Sequence, residues 1–262
     1  MKKIKKQIHW IKSKLKLNKR RLILLSIVIL ITGIIIGGVL FSQQKWNDYS
    51  NTYSRQFSDS QSDIESALLH ISEKADVSKA DRINQFSQLQ IKLSNESKKY
   101  CDVDSLIKWQ SFIGRYSNEV STCLQQKTHI EKLLGTFNKI VAYLKADKEL
   151  ADIISSADSQ TNLNNQADKW NQIESFWRQA STSASKLTDV YQFKDTKTAA
   201  VSTINSIADA WASLSSANDS QNRQQYNDAS TNLTAVYATV TTISDTSTKQ
   251  LNVIILELYA LL

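Results

Sequence analysis

The sequence predicts an all-α protein in which a single N-terminal transmembrane helix is followed by an elongated antiparallel helical bundle. Three observations predict this fold. The 262 residues include no proline and only five glycines. One run of 20 uncharged, mostly apolar residues lies near the N-terminus. Elsewhere, apolar residues recur every three or four positions, which is the period of helices that pack against each other in bundles and coiled coils.

The scarcity of chain-breaking residues also limits the kind of protein this can be. Outside the apolar run, glycine occurs at two positions, Gly114 and Gly135. β-Hairpins need glycine at positive φ, and the functional loops of the Rossmann, P-loop and α/β-hydrolase folds need it as well. We therefore expect long helices joined by turns of Asn, Asp and Ser.

Residues 1–21 form a basic arm with eight lysines, two arginines and no acidic residue. Isoleucine and leucine recur along the arm at helical spacing, which predicts an amphipathic helix lying on anionic membrane lipid. The residues expected at the membrane surface are Lys2, Lys3, Lys5, Lys6, Trp10, Lys12, Lys14, Lys16, Lys19, Arg20 and Arg21. A nucleic-acid role is the rival interpretation. It is disfavoured because the rest of the chain has 22 basic and 25 acidic residues, so no nucleic-acid partner is expected.

Residues 22–42 are predicted to be a transmembrane signal anchor. As a helix, the run Leu22–Phe41 would span about 30 Å, the thickness of the hydrocarbon core of a bilayer. The run is longer than the apolar region of a cleaved signal peptide, and no small-x-small cleavage site follows it. Ten cationic residues precede it, so the positive-inside rule predicts a cytoplasmic N-terminus. We therefore expect a single-pass plasma-membrane protein whose residues 43–262 are extracytoplasmic.

Two glycines in the anchor have the spacing that lets membrane helices approach closely. Gly33 and Gly37 form a small-xxx-small pattern, which predicts helix packing within the bilayer. The alternative is that glycine is simply common in membrane helices.

The extracytoplasmic region is expected to begin with two helices. No breaker follows the apolar run, so the first helix should continue out of the bilayer to about residue 74. A turn over Glu73–Lys79 precedes a second helix, which should end at about Lys99. The apolar positions of this second helix are Ile83, Phe86, Leu89 and Leu93.

A third long helix is expected to extend through Ile154. Its apolar stripe comprises Tyr116, Val120, Leu124, Ile130, Leu134, Phe137, Val141 and Leu144. The polar stretch Gln160–Gln166 is the clearest predicted loop. This loop could divide the bundle into two sub-bundles, 43–158 and 167–262.

Three further helices are predicted towards the carboxyl end. An apolar seam from Trp170 to Tyr191 predicts the first, and Lys194–Thr196 should form the turn after it. Ala217–Ser220 should close the second. The last stripe predicts one helix to the carboxyl end, although β-branched residues weaken its middle at Thr239–Thr248.

Cys101 and Cys123 are expected to form a disulfide, because both lie in the region predicted to be exported to an oxidising compartment. An unbroken helix would hold residues 22 positions apart at about 33 Å, whereas a disulfide needs Cα atoms within about 7 Å. We therefore expect the chain to double back at Gly114 and Ser117–Asn118. The alternative, a catalytic thiol, is poorly supported because no Cys-x-x-Cys motif is present and His129 is the only histidine nearby in sequence.

No catalytic residue, metal site or cofactor is predicted. The histidines are isolated, and no His-Glu-x-x-His motif occurs. Asp102 and Asp104 resemble the opening of a calcium loop, but Leu106 and Ile107 occupy positions that need an oxygen ligand and glycine. The charges of Lys145–Asp152 form i,i+4 pairs of opposite sign, which is typical of a solvated helix face. The chain is therefore not expected to be an enzyme.

The aromatic residues allow two interpretations. Those on apolar stripes are expected to pack in the core, and they are Trp109, Trp170, Trp177 and Trp211. The alternative is an aromatic-lined groove at one end of the bundle that binds a peptide or a cell-wall sugar. Phe176, which lies beside the seam, is the aromatic residue expected to be partly exposed.

These features together favour a membrane-anchored, extracytoplasmic helical interaction or scaffold module without catalytic activity. Its expected partners are membrane lipid and either an envelope protein or a second copy of the chain. The alternative is a ligand-binding or sensory domain, which would act through a partner protein because the basic arm is too short to fold into an output domain. A groove with aromatic residues would favour ligand binding, a flat apolar strip would favour assembly, and a cleft with paired acids would favour an enzyme.

Overall fold

The computed structural model describes residues 19–73, 78–102, 117–163 and 166–262. These residues are helical apart from short connections, and no strand occurs among them. This confirms the all-α class and a helical bundle that follows an N-terminal apolar helix. The helices of the described residues are α1 (Lys19–Glu73), α2 (Lys79–Lys99), α3 (Ser117–Leu163), α4 (Trp170–Ser185), α5 (Phe193–Asp219), α6 (Arg223–Ala238) and α7 (Val240–Tyr259).

The chain divides into two compact units. The first unit comprises residues 1–56 and 101–124, and the second comprises residues 57–100 and 125–262. The second unit contains residues from both sides of the predicted loop at 160–166. The two sub-bundles 43–158 and 167–262 remain a prediction.

In the first unit, one segment of α1 is long and apolar enough to cross a membrane. Among the described residues this segment is Ser26–Thr52, with a mean hydropathy of 2.2. Its large aliphatic side chains lie on the surface of the chain, and Ile34 is 65% exposed. Such a surface is unfavourable in water, because exposing each large aliphatic side chain forgoes about 1.5–3 kcal/mol of hydrophobic burial.

In the second unit, α2 begins and ends close to the predicted positions. The Ser78 hydroxyl caps the helix by accepting a hydrogen bond from the Asp81 backbone N–H at 3.1 Å. It also donates to an Asp81 carboxylate oxygen at 2.6 Å. Phe86 and Leu93 are buried, and the Phe86 ring lies 5.6 Å from that of Phe137 on α3. α2 therefore packs its apolar face against α3 as its periodicity predicts.

α3 departs from its predicted single stripe. Leu124 is 52% exposed, whereas Leu133 and Ile140, which lie off the predicted stripe, are buried. The helix also runs on to Leu163, so the predicted loop at 160–166 begins too early. The extra turn is held by Thr161, whose hydroxyl donates to the Ala157 carbonyl at 2.9 Å and accepts from a tryptophan of α4. A tertiary contact therefore extends the helix through a polar sequence.

The turn predicted at Lys194–Thr196 is wrong, because α5 already begins at Phe193. α4 ends at Ser185. In the connection from α4 to α5, the backbone of Gln192 has a φ of 60°, which lies in the left-handed region. Lys197 of α5 holds this connection by donating to the Leu187 carbonyl at 3.0 Å. Phe193 and Thr196 are both fully buried. Burial of these two side chains sets the start of α5.

The last predicted helix is interrupted at Thr239. The backbone N–H of Thr239 bonds to the Val236 carbonyl, and that of Thr242 bonds to the Thr239 carbonyl, so the local spacing is tighter than that of an α-helix. The hydroxyls of Thr239 and Thr241 donate to the carbonyls of Val236 and Ala238. Hydroxyls that bond back to the preceding turn bend helices, which accounts for the break between α6 and α7.

Candidate functional site

The second unit contains a cleft of about 520 Å³ between residues of five helices. Apolar and aromatic side chains form most of its lining, namely Leu150, Ala151, Ile154, Trp177, Tyr237, Val240 and Ile243. The other described residues of the lining are polar or charged, namely Lys79, Asp147, Ser155, Asp158 and Ser244. An apolar cavity of this volume with a few polar groups is typical of small-molecule sites.

A buried carboxylate lies at one end of the cleft. The side chain of Asp147 is 11% exposed, and one of its oxygens lies 2.5 Å from the Lys79 Nζ. The other oxygen accepts a hydrogen bond of 2.5 Å from the Ser247 hydroxyl. Lys79 is the first residue of α2, and its side chain is 49% exposed. The carboxylate is therefore held inside the bundle, whereas the cation that neutralises it is half in water.

Buried polar groups of α3, α5 and α7 form a hydrogen-bonded chain that ends at Asp147. The hydroxyl of Tyr143, one turn earlier on α3, lies 2.9 Å from the Ser247 carbonyl and 3.1 Å from the Ser247 hydroxyl. It also lies 3.1 Å from the Thr196 hydroxyl of α5. Tyr143 is fully buried, and burial, the main cause, raises the pKa of its phenol. The network therefore fixes Asp147 and Ser247 with neutral hydrogen-bonding groups from α3, α5 and α7.

Two aromatic residues lie farther along the cleft. The rings of Trp177 and Tyr237 meet edge to face with centroids 5.8 Å apart. The Trp177 indole N–H donates to Thr161 Oγ1 at 2.9 Å, and the Trp211 indole N–H donates to the Tyr237 hydroxyl at 3.2 Å. Burial is the main cause that raises the pKa of Tyr237. These bonds fix both rings as a rigid wall of the cleft.

The other tryptophans on the apolar stripes are also buried where the structure describes them. Trp170 and Trp211 are buried, with ring centroids 6.1 Å apart, and Trp109 lies outside the described residues. Phe176 is half-buried, as predicted, and it lines a more polar groove of about 630 Å³ between α3 and α4.

In the first unit, Cys101 and Cys123 are joined by a disulfide with Cα atoms 5.6 Å apart. This Cα separation is within the range that the predicted pairing requires. The Tyr49 hydroxyl of α1 lies 3.1 Å from the Cys123 Sγ and accepts from the Cys101 backbone N–H. Gly114, one of the two positions of the expected reversal, lies outside the described residues. Ser117 and Asn118, the other position, are the first residues of α3 and do not form a turn.

The predicted membrane-contact residues are only partly described. The arm residues Lys2 to Lys16 lie outside the described residues, and α1 begins with Lys19, Arg20 and Arg21. A Cβ added at Gly33 or Gly37 would meet nothing within 4 Å among the described residues. Packing of another helix on these glycines remains a prediction.

The charged stretch 145–152 differs from its prediction at one residue. Lys148 and Asp152 form the expected exposed i,i+4 pair at 2.6 Å. Asp147, in contrast, is buried. The sequence signal that could have identified it is its helical phase, since Asp147 lies three and seven positions before Leu150 and Ile154 on one stripe of α3.

The described part of the chain holds no group of three or more His, Cys, Asp or Glu that could bind a metal ion. Asp147 and Asp158 lie on one helix 11 positions apart, which corresponds to about 16 Å. Acid–base pairs in glycoside hydrolases are about 5–9.5 Å apart, so these two carboxylates do not form such a pair.

No protein-family model, no curated protein and no solved structure matches this chain.

Proposed function

We propose that this chain is a single-pass membrane protein whose extracytoplasmic helical domain binds a small ligand and acts through a partner protein, without catalysis of its own. The amphiphilic cleft between α2, α3, α4, α6 and α7 is the observation that carries this proposal. Ligand binding is the alternative that the sequence left open, and the cleft supports it because a mostly apolar lining is combined there with a fixed, buried carboxylate.

The membrane part of the proposal is supported by the segment Ser26–Thr52 and by the ten cationic residues that precede the apolar run. The apolar side chains of this segment face outward, as they would towards lipid. Moving the ten cations across an energised membrane would be unfavourable by about 2.3 kcal/mol per charge per 100 mV. We therefore propose a cytoplasmic N-terminus and an extracytoplasmic cleft in the cell envelope.

The topology can be tested by thiol labelling of intact cells. A cysteine placed at the exposed position Asn227 should react with a membrane-impermeant maleimide without lysis. A cysteine placed at Ser13 in the basic arm is the control and should react only after the membrane is permeabilised. Labelling of the Ser13 position alone in intact cells would contradict the proposed orientation.

The cleft can be tested with a photo-crosslinking amino acid at Ser244, which lines it, and at the adjacent Asp245, which is exposed and does not. Successive helix positions point about 100° apart, so Asp245 is a matched control on α7. We expect irradiation of cells to give a small-mass adduct at Ser244 alone. The same adducts at both positions, or none at Ser244, would show that the cleft is not the recognition site.

A second candidate function, a scaffold that assembles with another protein or copy, is favoured by α7. Three of its apolar side chains form an exposed strip, with Val253 42%, Leu256 66% and Tyr259 46% exposed. If this strip carries the function, Leu256→Glu should abolish crosslinking to an envelope partner in cells, whereas Asn252→Glu at an exposed position of α7 should not. Retention of every partner by the Leu256 variant would exclude the strip.

A further inference from the structure

The arrangement of charges in the cleft indicates which class of molecule it takes. We infer that the ligand is an organic ammonium ion with an apolar body about 10 Å long, whose ammonium group replaces Lys79 on Asp147. The inference rests on the proposed ligand-binding function of the cleft and adds the chemical class of the ligand.

The two partners of the ion pair differ in how firmly they are held. Asp147 is fixed by Ser247, which is fixed in turn by Tyr143. Lys79 has a flexible side chain that is 49% exposed. A buried carboxylate without a cation is strongly unfavourable, whereas a half-exposed lysine can return to water at little cost. The site is therefore built to keep a cation on Asp147 and to exchange that cation.

The sign of the ligand charge follows from the charged groups that line the cleft. Among the residues that the structure describes, these are Lys79, Asp147 and Asp158, which together carry one more negative than positive charge. An anionic ligand that paired with Lys79 would have to share this ammonium group with Asp147, and it would bring a second negative charge beside the buried carboxylate. An ammonium group, in contrast, restores the neutralised carboxylate and releases Lys79 to solvent.

The apolar residues near Asp147 on α3 and near Ser247 on α7 determine the length of the ligand's apolar body. Leu150 and Ile154 lie three and seven positions after Asp147 on α3, and Ile243 and Val240 lie four and seven positions before Ser247 on α7. Seven helical positions correspond to about 10 Å. An alkyl or phenylalkyl group of that length therefore extends from the carboxylate along both helices towards the aromatic wall.

A sugar is a poorer match for the same cleft. Sugars bind proteins by stacking on an exposed aromatic face and by making many hydrogen bonds. Trp177 is 1% exposed, and its indole N–H is already bonded to Thr161. The described lining thus offers apolar contact and an ion-pairing position at Asp147 in place of an exposed stacking platform.

The test is isothermal titration calorimetry on the full chain in phosphatidylcholine nanodiscs, with three probes that share a phenyl ring and differ in charge. Phenylethylammonium should bind at least about tenfold more tightly than phenylethanol or phenylpropionate, as expected for a charge-assisted hydrogen bond. Equal binding of all three probes, or binding of none, would overturn the inference. Preferential binding of phenylpropionate would also overturn it while leaving the cleft as a ligand site, which separates this failure from failure of the proposed function.

Variants of the ion pair sharpen the test. Asp147→Asn should weaken phenylethylammonium binding about tenfold or more, and Lys79→Met should strengthen it because the internal competitor is gone. Lys148→Met, which removes a neighbouring cation from the exposed pair with Asp152, should leave it unchanged. Circular dichroism checks that each variant folds. If Asp147→Asn does not fold, the affinity of Lys79→Met for phenylethylammonium decides between the outcomes. Weaker binding by Lys79→Met would refute the proposed exchange of cations on Asp147.

Discussion

Replacing Tyr143 by phenylalanine tests whether the buried polar network holds the bundle together. The ring of Tyr143 is fully buried and meets the Phe193 ring edge to face at 5.5 Å. Phenylalanine keeps this packing and removes only the hydroxyl, which lies within hydrogen-bonding distance of Thr196 and of both Ser247 oxygens. Because burial raises the pKa of Tyr143, the group that is lost is a neutral phenol at pH 7.

The expected loss of stability follows from the buried polar groups that Tyr143→Phe leaves without a partner. A typical intramolecular hydrogen bond contributes about 0.5–1.5 kcal/mol, and a buried group without a partner is unfavourable by about 1–3 kcal/mol. Thr196 is fully buried and Ser247 nearly so, so Tyr143→Phe should lower the free energy of unfolding by about 2 kcal/mol. The double variant Tyr143→Phe with Thr196→Val has no Thr196 hydroxyl that could be left unpaired. Its decrease in the free energy of unfolding should therefore be smaller than the sum of the two single decreases, by about 1 kcal/mol.

The assay is urea unfolding of the full chain in a non-ionic detergent, followed by the helical circular dichroism signal. Tyr226→Phe is the matched control, because Tyr226 is 37% exposed and should change the free energy of unfolding by less than about 0.5 kcal/mol. The dependence on urea concentration should stay constant if only stability changes. A Tyr143→Phe midpoint equal to that of the control, or strictly additive losses in the double variant, would refute the reasoning.

Two other predictions concern the disulfide and an exposed carboxylate. Replacing Cys101 and Cys123 by serine should lower the free energy of unfolding by about 3 kcal/mol, because the bond closes a loop between residues 22 positions apart; two free thiols in the unfolded, unreduced protein would contradict the bond. The pKa of Glu257 is lowered, first by the hydrogen bond from the Tyr191 hydroxyl and then by Lys139. Its stabilising contribution should therefore be complete above the ordinary pKa of 4.5 and lost as the pH falls through the lowered folded value. Glu257→Gln should flatten this acid limb in urea midpoints measured against pH, and an unchanged slope would contradict the assignment.

The positions of α1 and α2 could be predicted because local chemistry sets them. α1 ends at Glu73, one residue from the predicted position, and α2 ends at Lys99 as predicted. The Ser78 hydroxyl caps α2 by accepting from the Asp81 backbone N–H, and it donates to the Asp81 carboxylate, so the start signal lies within four consecutive residues.

The turns near Thr161 and Phe193 could not be predicted in the same way. Thr161 stays helical because Trp177, 16 positions later, donates to its hydroxyl. α5 begins at Phe193 because Phe193 and Thr196 are buried. In both places contacts with residues distant in sequence overrode a polar, turn-like local sequence.

The residues of the candidate site likewise could not be identified from their local sequence. The local sequence gives no sign of a site around Lys79, Asp147 or Ser247. The charges around Asp147 are typical of a solvated helix face. They meet only because α2, α3 and α7 pack together, over sequence separations of 68 and 100 residues.

The sequence by itself determined the helical class and the apolar N-terminal segment, because breaker content and hydropathy are properties of the chain alone. The tertiary structure decided which polar residues are buried and therefore where the cleft lies. A helix presents charged residues to solvent or to a neighbour according to what packs beside it, and α3 is covered at Asp147 by residues from two other helices. That packing turned one carboxylate in a charged stretch into the centre of a candidate binding site.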